Sequence, residues 1–115
     1  NLVESEGFEP ILDISSQVTN DGVLTNVTLD PTANTKYKIT MPNNGNIGFD
    51  GWTNPSDGQK VIIYIDNSAD LDSIAYFAIT PADTIITATN TLKDYSVWEM
   101  IYDGSMYWMY EISNK

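Results

Sequence analysis

Apolar and polar residues alternate along most of this chain with a period of two, and no segment keeps a period of 3.6. The alternation is clearest in residues 23–29 and residues 36–41, where Tyr37, Ile39 and Met41 are interleaved with lysine and threonine, and it resumes at residues 47–49. Because successive side chains of a strand point to opposite faces, this pattern predicts strands with one buried face.

The middle of the chain contains further strand signals. Residues 61–65 are apolar at every position and mostly β-branched, which predicts a central strand covered on both faces. An acidic turn follows, and residues 74–80 and 84–89 then read as two more strands hinged at Pro81. Asparagine, proline and glycine in residues 54–58 predict the strongest loop of this region.

The last strands form the clearest predicted hairpin. Residues 96–102 and 105–112 flank Asp103-Gly104, a dipeptide that favours a two-residue type I′ turn. In that register Tyr102 opposes Ser105 and Glu99 opposes Trp108. One face then carries Trp98, Met100, Tyr102, Tyr107 and Met109, and the other carries Val97, Ile101, Met106, Trp108, Tyr110 and Ile112.

Both faces of this hairpin are apolar, whereas a small two-sheet domain covers only one face of a terminal hairpin. We therefore expect the hairpin to meet a second copy of the chain. The alternative is that the hairpin is an ordinary central element of the core. The predicted interface residues are Trp98, Met100, Tyr102, Met106, Tyr107, Trp108 and Tyr110.

The fold class that these signals predict is all-β. We expect one β-sandwich or jelly-roll-like domain over residues 10–115, ending in the hairpin, after an extended acidic segment at residues 1–9. A chain of 115 residues has room for one hydrophobic core and not for two. Because it begins at Asn1 rather than Met, we expect an excised piece or a processed product.

Composition excludes several functional classes. The chain has no cysteine, histidine or arginine, so it cannot form a disulfide, a Cys/His zinc site or a histidine-based triad. Its net charge of −11 disfavours binding to nucleic acid and to anionic membranes. We see no signal peptide and no apolar stretch long enough for a transmembrane helix. We expect no cofactor.

Carboxylates are the main reactive groups that remain, and two carboxylates suffice for glycoside hydrolysis. Glu99 lies near Trp108 in the predicted hairpin, and Asp50 lies beside Trp52, so Trp52 and Asp50 are candidate sugar contacts. The alternative is that the tryptophans are core residues and Glu99 lies at the rim. We favour that alternative, because no acid–base pair is evident, and predict that the protein is not an enzyme.

A calcium site is the remaining chemical candidate. Asp66, Asp70 and Asp72 cluster in one turn, and hard cations prefer several oxygen ligands from a short loop. The turn lacks the glycine and the terminal glutamate of an EF-hand. A solvated acidic turn explains these residues better, so we predict no bound metal.

Several motifs resemble a β-domain of bacteriophage fibre and other virion structural proteins. They are residues 26–31 (NVTLDP) with 34–39 (NTKYKI), residues 58–65 (GQKVIIYI), and residues 97–108 with their Tyr-Asp-Gly turn. The resemblance covers roughly residues 24–112. It departs at residues 76–81, YFAITP, where the family often has a tryptophan-proline element.

The resemblance implies a non-enzymatic module on the surface of the phage particle. Such modules are commonly homotrimers that decorate the capsid as head fibres or form part of a tail fibre, in contact with other capsid or tail proteins. The family has no catalytic residues to transfer. The alternative function is a carbohydrate-binding module that contacts a glycan of the host surface. An exposed Trp52 or Trp108 beside a carboxylate would favour that alternative, and burial of both would favour the decoration module.

Overall fold

The structure is a computed structural model that describes residues 9–42, 45–69, 74–80, 84–86, 90–91 and 93–115. A short 3-10 helix spans Ser15–Gln17. The strands are β1 (Leu12–Asp13), β2 (Leu24–Val27), β3 (Lys36–Thr40), β4 (Asn46–Asp50), β5 (Lys60–Asp66), β6 (Ile74–Thr80), β7 (Thr84–Ile86), β8 (Asn90–Thr91), β9 (Tyr95–Tyr102) and β10 (Tyr107–Asn114). The all-β prediction is confirmed.

The strands form two sheets, and the chain alternates between them from β1 to β8. The larger sheet has the order β1-β3-β5-β9-β10-β7, and the smaller has the order β2-β4-β6-β8. From β1 to β6, strands two apart in the sequence pair side by side and in parallel, whereas β7 pairs with β10 rather than with β5. Each crossover between parallel neighbours, which usually contains a helix, here contains a strand of the other sheet. The chain of the first six strands thus winds back and forth between the two sheets, one strand in each sheet in turn.

The terminal hairpin completes the larger sheet. Strand β9 pairs with β5 in antiparallel orientation, β10 pairs with β9 in the same way, and β10 pairs with β7 in parallel. A jelly roll is built from antiparallel strands. The parallel pairs among strands β1–β6 therefore give this chain a different connectivity from the jelly-roll-like one that we expected.

One hydrophobic core lies between the inner faces of the two sheets. The smaller sheet contributes Val27, Ile47 and Phe49, all fully buried. The larger sheet contributes the alternate residues Tyr37, Ile39, Val61, Ile63, Ile65, Trp98, Met100, Tyr107 and Met109. Burying one large apolar side chain contributes about 1.5–3 kcal/mol, so this core supplies the main force that holds the sheets together.

The prediction that residues 61–65 are covered on both faces is wrong. Strand β5 is central in its sheet, and Val61, Ile63 and Ile65 are buried, but Ile62 and Tyr64 are only half-buried. Their side of the sheet faces away from the core. Apolar residues on both faces therefore do not imply burial of both faces within one chain.

The predicted register of the hairpin is also wrong, by two residues. Tyr102 pairs with Tyr107 rather than Ser105, and residues 103–106 form a four-residue loop. The carboxylate of Asp103 explains the longer loop, because its Oδ1 accepts hydrogen bonds at 2.8 Å from the backbone N–H groups of Ser105 and Met106. Gly104 adopts φ 95°, which only glycine tolerates easily.

The start of the described chain is tied to the larger sheet. The carboxylate of Glu9 accepts hydrogen bonds from the backbone N–H and hydroxyl of Thr35 and from the backbone N–H of Lys36. Residues 1–8 of the predicted acidic segment, the predicted hinge at Pro81 and residues 87–89 of the predicted strand lie outside the described residues.

Candidate functional site

The side of the larger sheet that faces away from the core is a candidate interaction surface, which we call the outer face. It consists of the outward residues of β3, β5, β9 and β10 together with Asp13 on β1. Its apolar and aromatic residues are Ile62, Tyr64, Tyr95, Val97, Ile101, Trp108 and Tyr110, and the exposed Ile112 follows them in a β-bulge of β10 between Glu111 and Ser113. The pairing register brings them together, since Tyr64 lies opposite Val97, and Ile101 lies between Lys60 and Trp108.

Four of these large side chains are substantially exposed. The exposed fraction is 56% for Tyr95, 40% for Trp108, 39% for Tyr110 and 52% for Ile112. Contiguous exposed apolar surface on a soluble protein generally marks a binding site. The expectation that the hairpin has a second apolar face, not used by the core of its own chain, is therefore met.

A hydrogen bond fixes the orientation of Trp108, the outward aromatic residue of β10 nearest the hairpin loop. The indole Nε1 of Trp108 donates to Asp103 Oδ2 at 2.7 Å. This bond, together with those from the backbone of Met106 and Ser105, holds the pKa of Asp103 below its ordinary value of 3.8. A hydrogen bond to Glu99, directly opposite on β9, raises the pKa of Tyr110 above its ordinary value of 10.0. The indole of Trp108 is thus held in one orientation on the outer face.

The outer face is electrically neutral although the chain carries a net charge of −11. It contains three lysines and three carboxylates, which are Lys36, Lys38, Lys60, Asp13, Asp66 and Glu99. The side-chain hydroxyls of neighbouring serines and, to a smaller extent, the charge of Lys38 lower the pKa values of Asp13 and Asp66. The acidic excess of the chain therefore lies elsewhere.

The predicted interface residues divide between the two sides of the hairpin. Trp98, Met100 and Tyr107 are buried in the core, with at most 4% exposed, and so cannot contact a partner. Assigning them to an interface is wrong, because alternation points them towards the smaller sheet. Tyr102 is partly buried and packs against the core, and its ring lies 4.9 Å from that of Tyr107. Trp108 and Tyr110 are exposed and Met106 is half-buried.

The proposed sugar contact at Trp52 is wrong as well. Trp52 is only 5% exposed, its ring packs edge-to-face on Tyr107 at 5.0 Å, and its Nε1 donates to Gln59 Oε1 at 3.0 Å. A buried indole cannot stack on a ligand. Asp50 is half-buried at the end of β4. Glu99 is a diagonal neighbour of Trp108 on the outer face, rather than its direct partner.

The calcium candidate can be assessed only at Asp66, because Asp70 and Asp72 lie outside the described residues. Asp66 ends β5, and its Oδ1 accepts hydrogen bonds from the backbone N–H and hydroxyl of Ser68 at 3.0 and 2.6 Å. In the part of the chain that the structure describes, no three acidic side chains lie close enough together to hold a metal ion.

A cavity of about 210 Å³ opens at one corner of the outer face, and sequence reasoning missed it. It lies between β3, the end of β5 and the start of β9, and we call it the corner cavity. The polar or charged residues that line it are Lys38, Tyr64, Asp66, Tyr95 and Ser96. Only the β5–β9 pairing brings the two tyrosines together, although alternation does place each of them on an outward position.

Comparison of the chain with protein families, curated proteins and solved structures finds no match. None of the helices within residues 9–42, 45–69 and the other described segments is long and apolar enough to cross a lipid bilayer. The geometry of the site offers two features for binding, which are the apolar, neutral outer face and the small corner cavity with polar residues in its lining.

Proposed function

We propose that the protein is a non-enzymatic structural module that decorates a phage particle and associates with itself through the outer face. The observation that carries the proposal is the apolar outer face of the terminal hairpin. Side chains there are large, fixed in orientation and exposed, although the inner side of the same hairpin already completes the core. The outer face is thus available for binding.

The hydrophobic gain from covering this surface reaches the lower end of the free-energy cost of association. Full burial of a large apolar side chain contributes about 1.5–3 kcal/mol, so a side chain that is half exposed still offers about 1 kcal/mol. Four side chains are exposed to roughly this extent, and they are Tyr95, Trp108, Tyr110 and Ile112. The half-buried Ile62, Tyr64, Val97 and Ile101 add to it, against an association cost of about 4–15 kcal/mol.

The charge distribution favours a second copy as the partner. Two chains that each carry −11 repel one another at most of their surface, and the repulsion is smallest where neutral faces meet. The lysines of the outer face lie on β3 and at the start of β5, while Glu99 lies on β9 near β10. Asp13 and Asp66 lie on the same side as the lysines, which leaves that side with one net positive charge. A heterologous contact between the β3 side of one copy and the β10 side of the next brings this charge towards Glu99, and such a contact can close into a ring.

The trimeric state and the location on the virion rest on the resemblance to phage fibre proteins. The missing histidine, cysteine and arginine support a non-enzymatic role, because they remove most acid–base, nucleophilic and phosphate chemistry. In this proposal the module contacts other capsid or tail proteins through surfaces outside the self-association face. Localising it by electron microscopy of purified particles tests that part.

Self-association is tested by light scattering after size-exclusion chromatography at micromolar concentrations and rising salt. We expect a trimer whose formation strengthens with salt, as screening reduces the repulsion between acidic chains. Ile112→Lys should give monomers that keep their fold. Val23→Lys is the matched control, since Val23 is also exposed but precedes β2 at the edge of the smaller sheet. A wild-type chain that stays monomeric at high salt would contradict the proposal.

Carbohydrate binding is the second candidate function. Trp108 is exposed in the single chain and has a carboxylate, Glu99, as its diagonal neighbour, which is the arrangement expected to favour carbohydrate binding. The decoration module requires instead that assembly of the copies covers Trp108. Loss of saccharide binding in Trp108→Ala, measured on the same protein samples, tests that surface as the binding site.

A further inference from the structure

We infer that the corner cavity binds one neutral hexopyranose ring, at the terminus of a glycan. The inference names a site and a ligand class for the second candidate function, and it rests on that function. It places the sugar at Tyr64, Tyr95, Lys38 and Asp66, at the opposite end of the outer face from the hairpin loop.

The two tyrosines supply apolar walls that match the C–H face of a pyranose. Tyr64 lies opposite Val97, and Tyr95 lies opposite Asp66, so the tyrosines are diagonal neighbours on adjacent antiparallel strands. Diagonal positions are about 7–8 Å apart, which is within reach of aromatic side chains. Val97, which lies on the outward side opposite Tyr64, adds to the apolar lining between them.

The polar groups at the rim match neighbouring sugar hydroxyls. Four polar groups of the cavity make no hydrogen bond to the described residues of the protein. They are the phenol groups of Tyr64 and Tyr95, the Lys38 ammonium and Asp66 Oδ2. A carboxylate accepts from one hydroxyl, and an ammonium donates to the next. Asp66 is already oriented, because Ser68 holds its other oxygen through two hydrogen bonds.

Charge and size narrow the ligand class. Lys38 and Asp66 carry opposite charges, so the cavity as a whole favours neither an anion nor a cation. Drug-sized ligands usually occupy about 300–1,000 Å³, whereas this cavity has a volume of about 210 Å³. The site therefore accommodates a single ring, and the remainder of a longer glycan would extend into solvent.

Saturation-transfer and chemical-shift NMR on the intact chain can test this site with four methyl glycosides as probes: those of glucose, mannose, galactose and N-acetylglucosamine. We expect at least one to bind. Tyr95→Ala and Asp66→Asn should each weaken its binding about tenfold or more, since each loses stacking area or a charge-assisted hydrogen bond. Tyr95→Phe is the matched control: it keeps the stacking ring and loses only the phenol hydroxyl, so it should weaken binding less than Tyr95→Ala does.

The outcomes distinguish failure of the corner cavity as the binding site from failure of carbohydrate binding as a function. If a saccharide binds but only Trp108→Ala abolishes binding, carbohydrate binding survives and the corner cavity is the wrong site. If no probe binds at tens of millimolar, both fail. Binding of glucuronic or N-acetylneuraminic acid alone would also overturn the inference, because it predicts a neutral ligand. Spectra of Tyr95→Ala that match the wild type outside the cavity exclude unfolding as the cause of lost binding.

Discussion

Replacing Gly51 by alanine should destabilise the fold through one contact. A Cβ atom at this position would lie 2.7 Å from Cε2, 2.8 Å from Cζ and 2.9 Å from the hydroxyl of Tyr107. Carbon atoms in favourable contact are about 3.5–4.0 Å apart, so the ring would have to move by about 1 Å.

The ring of Tyr107 has little freedom to make that movement. It packs edge-to-face on Trp52 at 5.0 Å and lies 4.9 Å from the ring of Tyr102. Its hydroxyl donates to the carbonyl oxygen of Trp52 at 3.1 Å. Overpacking at such a site costs about 1–3 kcal/mol. The φ angle of Gly51 is not positive, so alanine also restricts the unfolded chain, which returns about 0.4–1 kcal/mol.

The net expectation is a loss of about 1–2 kcal/mol in the free energy of unfolding. Urea titration followed by tryptophan fluorescence measures this loss, and the midpoint of thermal unfolding should fall by about 4–8 °C. A double-mutant cycle with Tyr107→Leu isolates the contact, because the added methyl group should cost little once the ring is gone. A Gly51→Ala variant as stable as the wild type would refute the packing around Tyr107.

Three further predictions concern the turn, the pH dependence and the two faces of the sheets. Asp103→Ala should lower the melting temperature and shift the indole N–H resonance of Trp108, whereas Asp103→Asn should preserve more of the loop; no change in either would contradict the anchoring of Trp108. The pKa values of Glu9, Asp13, Asp21, Asp30, Asp66 and Asp103 are lowered by folding. The stability that these carboxylates contribute is therefore fully present at pH values above their ordinary pKa values of 3.8–4.5, and it is lost as the pH falls through the lowered pKa values. We therefore expect the melting temperature to decline below about pH 4.5 rather than stay level. Phe49→Ala should cost about 3–5 kcal/mol, while Ile112→Ala should cost under about 1 kcal/mol when measured on the monomer; equal losses would show that the inner and outer faces are wrongly assigned.

The sequence was sufficient to assign side chains to faces, because a period of two depends only on the local chain. Tyr37 and Ile39 are buried as the alternation predicts. In the hairpin the face assignment is correct although the register is not. The error was two residues, an even shift, and so Trp98 and Met100 still point inward.

The sequence was insufficient to predict which strands are neighbours. A strand shows the same alternation whether its partner is parallel or antiparallel, so nothing local indicated that β3 would pair with β5 across a strand of the other sheet. Because the neighbouring strands could not be predicted, neither the corner cavity nor the burial of Trp52 could be predicted. Trp52 is covered by Tyr107, which lies 55 residues later in the chain.

The apolar residues of the outer face require an explanation other than folding of the single chain. The core is complete without them, since the inward apolar residues at the centre of β5, β9 and β10 are at most 4% exposed, whereas Trp108 and Ile112 remain about half exposed; those core residues are Val61, Ile63, Ile65, Trp98, Met100, Tyr107 and Met109. Polar side chains at those positions would preserve the core and improve solubility, particularly in a chain that is otherwise strongly acidic. The exposed parts of these large apolar side chains add nothing to the stability of the monomer. A binding partner would account for them, and because the face is neutral on a chain of −11, a second copy of the same chain fits that requirement.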